Sequence, residues 1–287
     1  MGIISKIKSK LTYTEVAPLI MDDKLRNAYQ TSSVVGGCLK GRIAFVTGAT
    51  SGIGLAIAER LLNEGCSVVI SGRNVEKLDK AIAELKRRAR IAPGAIIDKV
   101  KMDQYNPDDI KTCMNALFKK YSVSIVVNNA GIFGKKDQRG EFRSVTEQEY
   151  FSTIDVNLKS TILIAELAAK EFASKGRGNI LNISSICAFS RNHYYTPYGI
   201  SKTGITYFTK QLSEQYRDKG VIISSIAPGS VATVMNHSKV NDNISDTHPL
   251  RHVIIPEQIA ALVAFMIGNV GVFLMGEVKK ACSTEDV

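Results

Sequence analysis

Short apolar runs that end in small residues recur along the chain and alternate with helical patterns. The first two runs, 43–48 and 67–72, are followed by helical patterns at 53–65 and 75–89. Further candidate strands, some again followed by helical patterns, lie at 95–103, 123–131, 178–185 and 221–229. Short, wholly apolar strands are typical of a parallel sheet covered on both faces. The alternation therefore predicts an α/β fold, a doubly wound parallel sheet with helices on both faces.

One domain is predicted, preceded by an extension. No linker rich in Pro, Gly or Ser divides residues 41–287, so this region is interpreted as a single domain. Residues 1–40 are interpreted as an N-terminal extension. Its first eleven residues alternate isoleucines and leucine with lysines, which suits either a surface arm or a short basic amphipathic helix.

Charge and cysteine content narrow the function classes. The net charge is +10, but the basic residues are spread out and only 86–90 is dense, which favours a solvated helix face over a nucleic-acid patch. The five cysteines show no C-x-x-C pair, and no histidine cluster is present, so no metal site is expected. Free thiols favour the cytoplasm. The uncharged stretch 258–276 is interrupted by glycines and predicts a buried helix and then a short β-type run, not a membrane span.

The first apolar run ends in the glycine-rich sequence TGATSGIG, residues 47–54. Glycines at 48, 52 and 54 would let the backbone turn tightly and approach a pyrophosphate. The following helix N-terminus offers free N–H groups to that anion. A tight structural turn is the alternative, but the place between a strand and an amphipathic helix favours a dinucleotide site and a Rossmann-type sheet.

The end of the second run indicates which dinucleotide is preferred. An acidic residue there would bind the 2′-hydroxyl of the adenosine ribose, but the chain has Gly72 followed by Arg73. A guanidinium can bind a 2′-phosphate through paired hydrogen bonds. The sequence therefore predicts NADP(H) in preference to NAD(H), unless Arg73 is an ordinary surface arginine.

Four motifs occur in order: TGATSGIG, NNAG at 128–131, NISS at 182–185 and YGISK at 198–202. With them the sequence resembles the classical short-chain dehydrogenase/reductase family over roughly residues 41–278. The resemblance implies an oxidoreductase that interconverts a ketone or aldehyde and an alcohol by hydride transfer. A homodimer or homotetramer is also implied, although Lys279, Lys280 and the missing glycines near the C-terminus depart from the family pattern.

The resemblance gives roles to four side chains. Tyr198 and Lys202 share a helix face at i and i+4, and a neighbouring ammonium is expected to lower the pKa of the tyrosine, the predicted proton donor. Ser185, 13 residues earlier, would hold the substrate oxygen, with Ser184 as the competing candidate. Asn157 would support a water-linked proton route to Lys202, or close a helix kink, or do both.

Further positions match residues that contact the cofactor in the family. Lys202 would also bind the nicotinamide ribose, Asp103 the adenine ring, and Thr233 the carboxamide. The predicted cofactor-binding set is Gly48, Thr50, Ser51, Gly52, Ile53, Gly54, Arg73, Asp103, Asn129, Ala130, Gly131, Tyr198, Lys202, Pro228, Gly229 and Thr233.

The substrate is less defined. The segment 234–255 is polar, and 187–197 adds Arg191, His193 and Tyr194, which suits a small polar or anionic carbonyl compound; an ordinary solvated loop is the alternative. Two other classes of function stay open. One is a nucleotide-binding sensor or scaffold without turnover, and the other is a peripheral membrane protein that uses its basic arm and the 258–276 stretch.

Overall fold

A computed structural model describes residues 37, 39–133, 146–189, 196–233 and 254–281. The predicted N-terminal arm, the segment 234–253, and Arg191, His193 and Tyr194 lie outside the described residues. At the edge of the predicted extension, Leu39 is completely buried in the core, and its carbonyl accepts a hydrogen bond from the thiol of Cys66.

The described part of the chain alternates strands and helices. In chain order the elements are β1 (Ile43–Val46), α1 (Gly52–Asn63), β2 (Ser67–Gly72), α2 (Val75–Arg88), β3 (Ile97–Lys101), α3 (Pro107–Lys120), β4 (Val123–Asn128), α4 (Glu147–Ile154), α5 (Ser160–Ser174), β5 (Gly178–Ile183), α6 (Thr196–Tyr216), β6 (Val221–Pro228), α7 (Pro256–Ile267) and β7 (Val278–Ala281). A π-helical turn, Asp155–Lys159, joins α4 to α5.

All seven strands are parallel and lie in the order β3-β2-β1-β4-β5-β6-β7. The central strands are buried along almost their whole length, because helices cover both faces. Helices α1, α2 and α7 pack on one face. Helices α3, α5 and α6 pack on the other. The predicted α/β doubly wound parallel sheet of Rossmann type is therefore confirmed.

The stretch after α7 differs from the prediction. Residues Asn269–Leu274 form a 3-10 helix, not the expected β-type run, and the last strand is β7, four residues farther on. Val272 and Phe273 are exposed, so their apolar character does not reflect a buried strand. Within the described ranges, no helix is long and apolar enough to cross a membrane.

Candidate active site

A cleft of about 630 Å³ opens at the carboxyl ends of the central strands, within the size range of small-molecule sites. It lies beside the point where the chain passes from β3, at one edge, to β4, on the other side of β1. Ligands of open α/β sheets bind at such a switch point. Every residue predicted to contact the cofactor lines this cleft, as do Ser185, Tyr198 and Lys202, whereas Asn157 lies behind its wall.

The glycine-rich turn after β1 packs tightly against the end of β4. Gly48 has φ 63°, and a Cβ there would lie 2.7 Å from Ala130 Cα. A Cβ on Gly54 would lie 2.4 Å from Asn129 Nδ2. That amide donates to the carbonyls of Thr47 and Gly48 at 2.9 and 3.1 Å. Glycine is thus required at 48 and 54 because the two turns interlock.

The N-terminus of α1 is left available to a ligand. Ser51 is its N-cap residue, yet its side chain makes no capping hydrogen bond. Gly52 adopts φ 57°, a conformation that favours glycine. The first-turn N–H groups therefore face the cleft together with the positive end of the helix dipole. This cradle fits the pyrophosphate of a dinucleotide.

The end of β2 carries a glycine and then a positive charge. A Cβ on Gly72 would lie 2.9 Å from Thr50 Cγ2. Arg73 is exposed and lines the cleft, and so does Lys77 in the first turn of α2. The Asn74 side chain caps this helix by accepting from the Lys77 N–H at 2.9 Å. Lys77 was not predicted from the sequence, although a second cation four residues after Arg73 was an available signal.

The predicted proton donor and its lysine lie on one face of α6. Lys202 Nζ is 5.5 Å from the centre of the Tyr198 ring and donates to the Ile183 carbonyl at 2.8 Å. Lys202 is 3% exposed. The spacing of four residues thus brings both groups to the cleft wall, next to the end of β5.

The two competing serines have different surroundings. The Ser184 hydroxyl donates to the Lys202 carbonyl and shares a hydrogen bond with Thr206, both at 2.9 Å, so it ties β5 to α6. The Ser185 hydroxyl accepts from the Cys187 N–H at 3.2 Å and hydrogen-bonds Tyr198. Of the two, Ser185 is the one whose hydroxyl lies beside the predicted proton donor.

Burial is the largest influence on the pKa values of Tyr198 and Lys202. It raises the pKa of Tyr198 well above its usual value, and the hydrogen bond from Ser185 offsets only part of that effect. Burial also lowers the pKa of Lys202 to about 8. The predicted lowering of the tyrosine pKa is therefore wrong for the cofactor-free protein, because desolvation of the phenolate is the largest effect on it.

Asn157 occupies the π-helical turn between α4 and α5 and is completely buried. Its Oδ1 accepts from the Ile132 N–H and its Nδ2 donates to the Ile132 carbonyl, both at 2.8 Å. The same Nδ2 lies 3.2 Å from Ser201 Oγ. A Cβ on Gly131 would lie 3.1 Å from Asn157 Oδ1 and 3.7 Å from Lys202 Nζ. The asparagine closes the kink and lies near the lysine, so both alternatives stay open.

The residues that precede the polar segment expected to cover the substrate lie at the cleft. Val231 pairs with Ile254 in an isolated parallel bridge, and Ala232 N–H donates to the Ile254 carbonyl at 2.8 Å. Ser230, Val231 and Thr233 line the cleft.

Comparison with known proteins agrees with this architecture. The family model described as short chain dehydrogenase matches residues 42–244. The 3-oxoacyl-[acyl-carrier-protein] reductase FabG of Rickettsia prowazekii (strain Madrid E) is 33% identical over 242 residues, which cover 83% of this chain and 94% of the relative.

Solved structures with different ligands share the fold. A variant of actinorhodin polyketide ketoreductase with NADPH superposes with a TM-score of 0.76 at 27% identity, covering 85% of this chain and 96% of its own. A 7α-hydroxysteroid dehydrogenase complexed with NADH and 7-oxo glycochenodeoxycholic acid gives 0.78 at 26% identity, covering 88% and 96%. Proteins of this architecture thus differ in both cofactor and substrate.

Proposed function

Because the chain belongs to the short-chain dehydrogenase family, whose members include oxidoreductases acting on alcohol and carbonyl groups, we propose that it is an NADP(H)-dependent carbonyl reductase or alcohol dehydrogenase. Its catalytic residues are Ser185, Tyr198 and Lys202, supported by Asn157. The observation that carries the proposal is that the first three line one cleft together with the glycine-rich turn and Arg73.

The side chains divide the work of carbonyl reduction. A bound NADPH would supply the hydride. Ser185 donates a hydrogen bond to the substrate oxygen and stabilises the negative charge that develops there. Tyr198 gives its phenolic proton to the same oxygen, and its raised pKa keeps it protonated at neutral pH. Lys202, charged below about pH 8, stabilises the phenolate left behind.

Proton return from solvent is the role proposed for Asn157. It is connected to the active-site wall through Ile132 and Ser201, and Gly131 leaves the space between it and Lys202 unfilled. A water in that space could accept from the ammonium and donate to the asparagine oxygen. In this role Asn157 acts through Lys202 and does not touch the substrate.

The preference for NADP(H) is supported by two features at the end of β2. Arg73 and Lys77 place two positive charges on the cleft where an adenosine 2′-phosphate would lie. A side chain at position 72 would meet the Thr50 methyl group, so the carboxylate that recognises an unmodified ribose fits only if Thr50 shifts. Both features favour binding of a 2′-phosphate over binding of an unmodified 2′-hydroxyl group.

The cofactor assignment is tested with Arg73→Asp. The chain contains no Trp, so the emission of NADPH or NADH can be titrated without interference. We expect Arg73→Asp to weaken NADPH binding by about 100-fold, since charge-assisted hydrogen bonds are lost and a repulsion is added, with little effect on NADH. Arg87→Asp is the matched control, because it makes the same charge change at an exposed position of α2 outside the cleft.

The titrations have three possible outcomes, and each has a different meaning. A loss confined to Arg73→Asp and to NADPH supports the assignment. Equal binding of both cofactors, unaffected by the substitution, would contradict the preference but leave the oxidoreductase in place. If the wild type binds neither cofactor, the protein does not use a nicotinamide dinucleotide and the proposed function fails.

A further inference from the structure

The side of Tyr198 that faces the end of β4 is covered by an aromatic ring. Phe133 and Tyr198 have ring centroids 4.6 Å apart and planes tilted by 39°. This distance is near the short end of the range for aromatic pairs, so the rings are in contact. Both residues line the cleft.

Phe133 is held in place from behind by Asn157. The amide of Asn157 binds both the N–H and the carbonyl of Ile132, each at 2.8 Å, and so fixes the backbone that leads directly into Phe133. Asn157 is itself completely buried in the π-helical turn. Two carbonyls of that turn also accept from hydroxyls one turn later, Val156 from Ser160 and Asn157 from Thr161.

The other contacts of the tyrosine lie in different directions. Lys202 Nζ is 5.5 Å from the ring centre, and the Ser185 side chain hydrogen-bonds the phenol. A tyrosine side chain has two rotatable bonds, and a hydrogen bond at its tip does not by itself fix the tilt of the ring. An aromatic surface against the ring supplies that restraint and also excludes water from it.

From this arrangement we propose that Phe133 is a positioning residue for proton transfer: it holds the Tyr198 ring at the angle from which the phenol reaches the substrate oxygen. The inference rests on the proposed function. It also gives Asn157 a second task, because the two hydrogen bonds to Ile132 are what place Phe133 against the ring.

The test compares turnover and cofactor binding in Phe133→Ala. A displacement of about 1 Å in a catalytic group can cost on the order of 100-fold in rate. We expect kcat for reduction of a carbonyl substrate to fall by about 10- to 100-fold, while the dissociation constant for NADPH changes by less than about threefold. Phe133→Tyr, which keeps the ring, should restore most of kcat.

The pH profile separates positioning from a general loss of structure. Burial raises the pKa of Tyr198, and removal of the covering ring admits water, so this pKa should fall. Reduction requires the protonated phenol. The phenol nevertheless stays protonated throughout the working range, so the alkaline limb of the wild-type kcat profile follows the loss of the Lys202 charge near pH 8. Water admitted beside the pair should raise the pKa of Lys202 and move this limb to higher pH in Phe133→Ala, a change that a merely less stable protein would not show.

Phe151→Ala is the control for removal of an aromatic contact. Phe151 packs on Tyr150 with ring centroids 5.5 Å apart, but it lies outside the cleft and is exposed. It should leave kcat and the pH profile unchanged. Wild-type kcat and pH profile in Phe133→Ala would overturn the positioning role while leaving the proposed function in place. If the wild type binds NADPH but reduces no carbonyl compound, the proposed function fails and the positioning role fails with it.

Discussion

Lys202 is 3% exposed, and its ammonium donates a hydrogen bond to the Ile183 carbonyl. Burial lowers its pKa to about 8, against 10.5 for an ordinary lysine. Between these two pH values the unfolded chain binds more protons at this site than the folded one. Folding stability contributed by Lys202 must therefore rise with pH across this window.

This linkage predicts a pH-dependent difference between the cofactor-free wild type and Lys202→Met. Methionine keeps much of the volume but cannot titrate. From pH 8 to pH 10 the free energy of unfolding of the wild type should increase relative to the variant by about 2 kcal/mol. Urea unfolding at both pH values measures this difference in the free energy of unfolding. Subtracting the value for the variant removes the contribution of all other titrating groups. A difference that stays constant with pH would show that Lys202 has an ordinary pKa.

Motif spacing was enough to predict that Ser185, Tyr198, Lys202 and Arg73 would line one cleft, because each follows a strand or shares a helix face. Spacing could not predict the direction of the Tyr198 pKa. That direction depends on how much water the surrounding chain excludes, and the atoms that exclude it come from distant segments, including Phe133.

At the level of elements, the helices α1, α2 and α7 each place a glutamate beside the Arg88 guanidinium, on the face of the sheet opposite α6. Arg88 at the end of α2 lies 2.9 Å from Glu59 of α1, 2.7 Å from Glu84 of its own helix and 3.9 Å from Glu257 of α7. Glu59 and Glu257 are about 95% buried. The arginine therefore neutralises carboxylates that water hardly reaches.

Arg88→Ala should destabilise the fold by about 3 kcal/mol, because two buried carboxylates lose an ion-pair contact. The matched control is Arg87→Ala, which removes the same side chain from an exposed position of the same helix and should change stability by less than about 0.5 kcal/mol. Denaturant unfolding near pH 7 compares the two variants. Equal effects would show that the three-helix ion-pair cluster contributes nothing beyond an ordinary surface arginine.

Helices and strands with strong periodicity were predicted closely, and the exceptions have local causes. Residues 269–274 are apolar but form a 3-10 helix, because they connect α7 to β7 along the surface and pair with no strand. The π-helical turn at Asp155–Lys159 has no signal in the periodicity, and only the alternative of a kink closed by Asn157 pointed to it. It is stabilised by Asn157 bonds to Ile132, 25 residues away, which periodicity cannot show.

For the whole molecule, the strand order places the ends of β1, β2, β4, β5 and β6 around one cleft, so residues spread from 48 to 233 line it together. The alternation of strands and helices predicted this architecture, since parallel sheets with helical crossovers are almost always covered on both faces. The substrate could not be predicted in the same way, because related proteins with this architecture act on different carbonyl compounds. The oligomeric state and the cytoplasmic location stay predictions.

The central claim is that Tyr198 delivers a proton to a carbonyl oxygen in an NADPH-dependent reduction. The most direct measurement is the rate of NADPH oxidation by the wild type and by Tyr198→Phe, with a panel of ketones and aldehydes, alongside NADPH binding. We expect the variant to bind NADPH with nearly unchanged affinity and to lose at least about 100-fold in kcat, the contribution of a general acid. Comparable turnover by both proteins would contradict the assignment of Tyr198 as the proton donor.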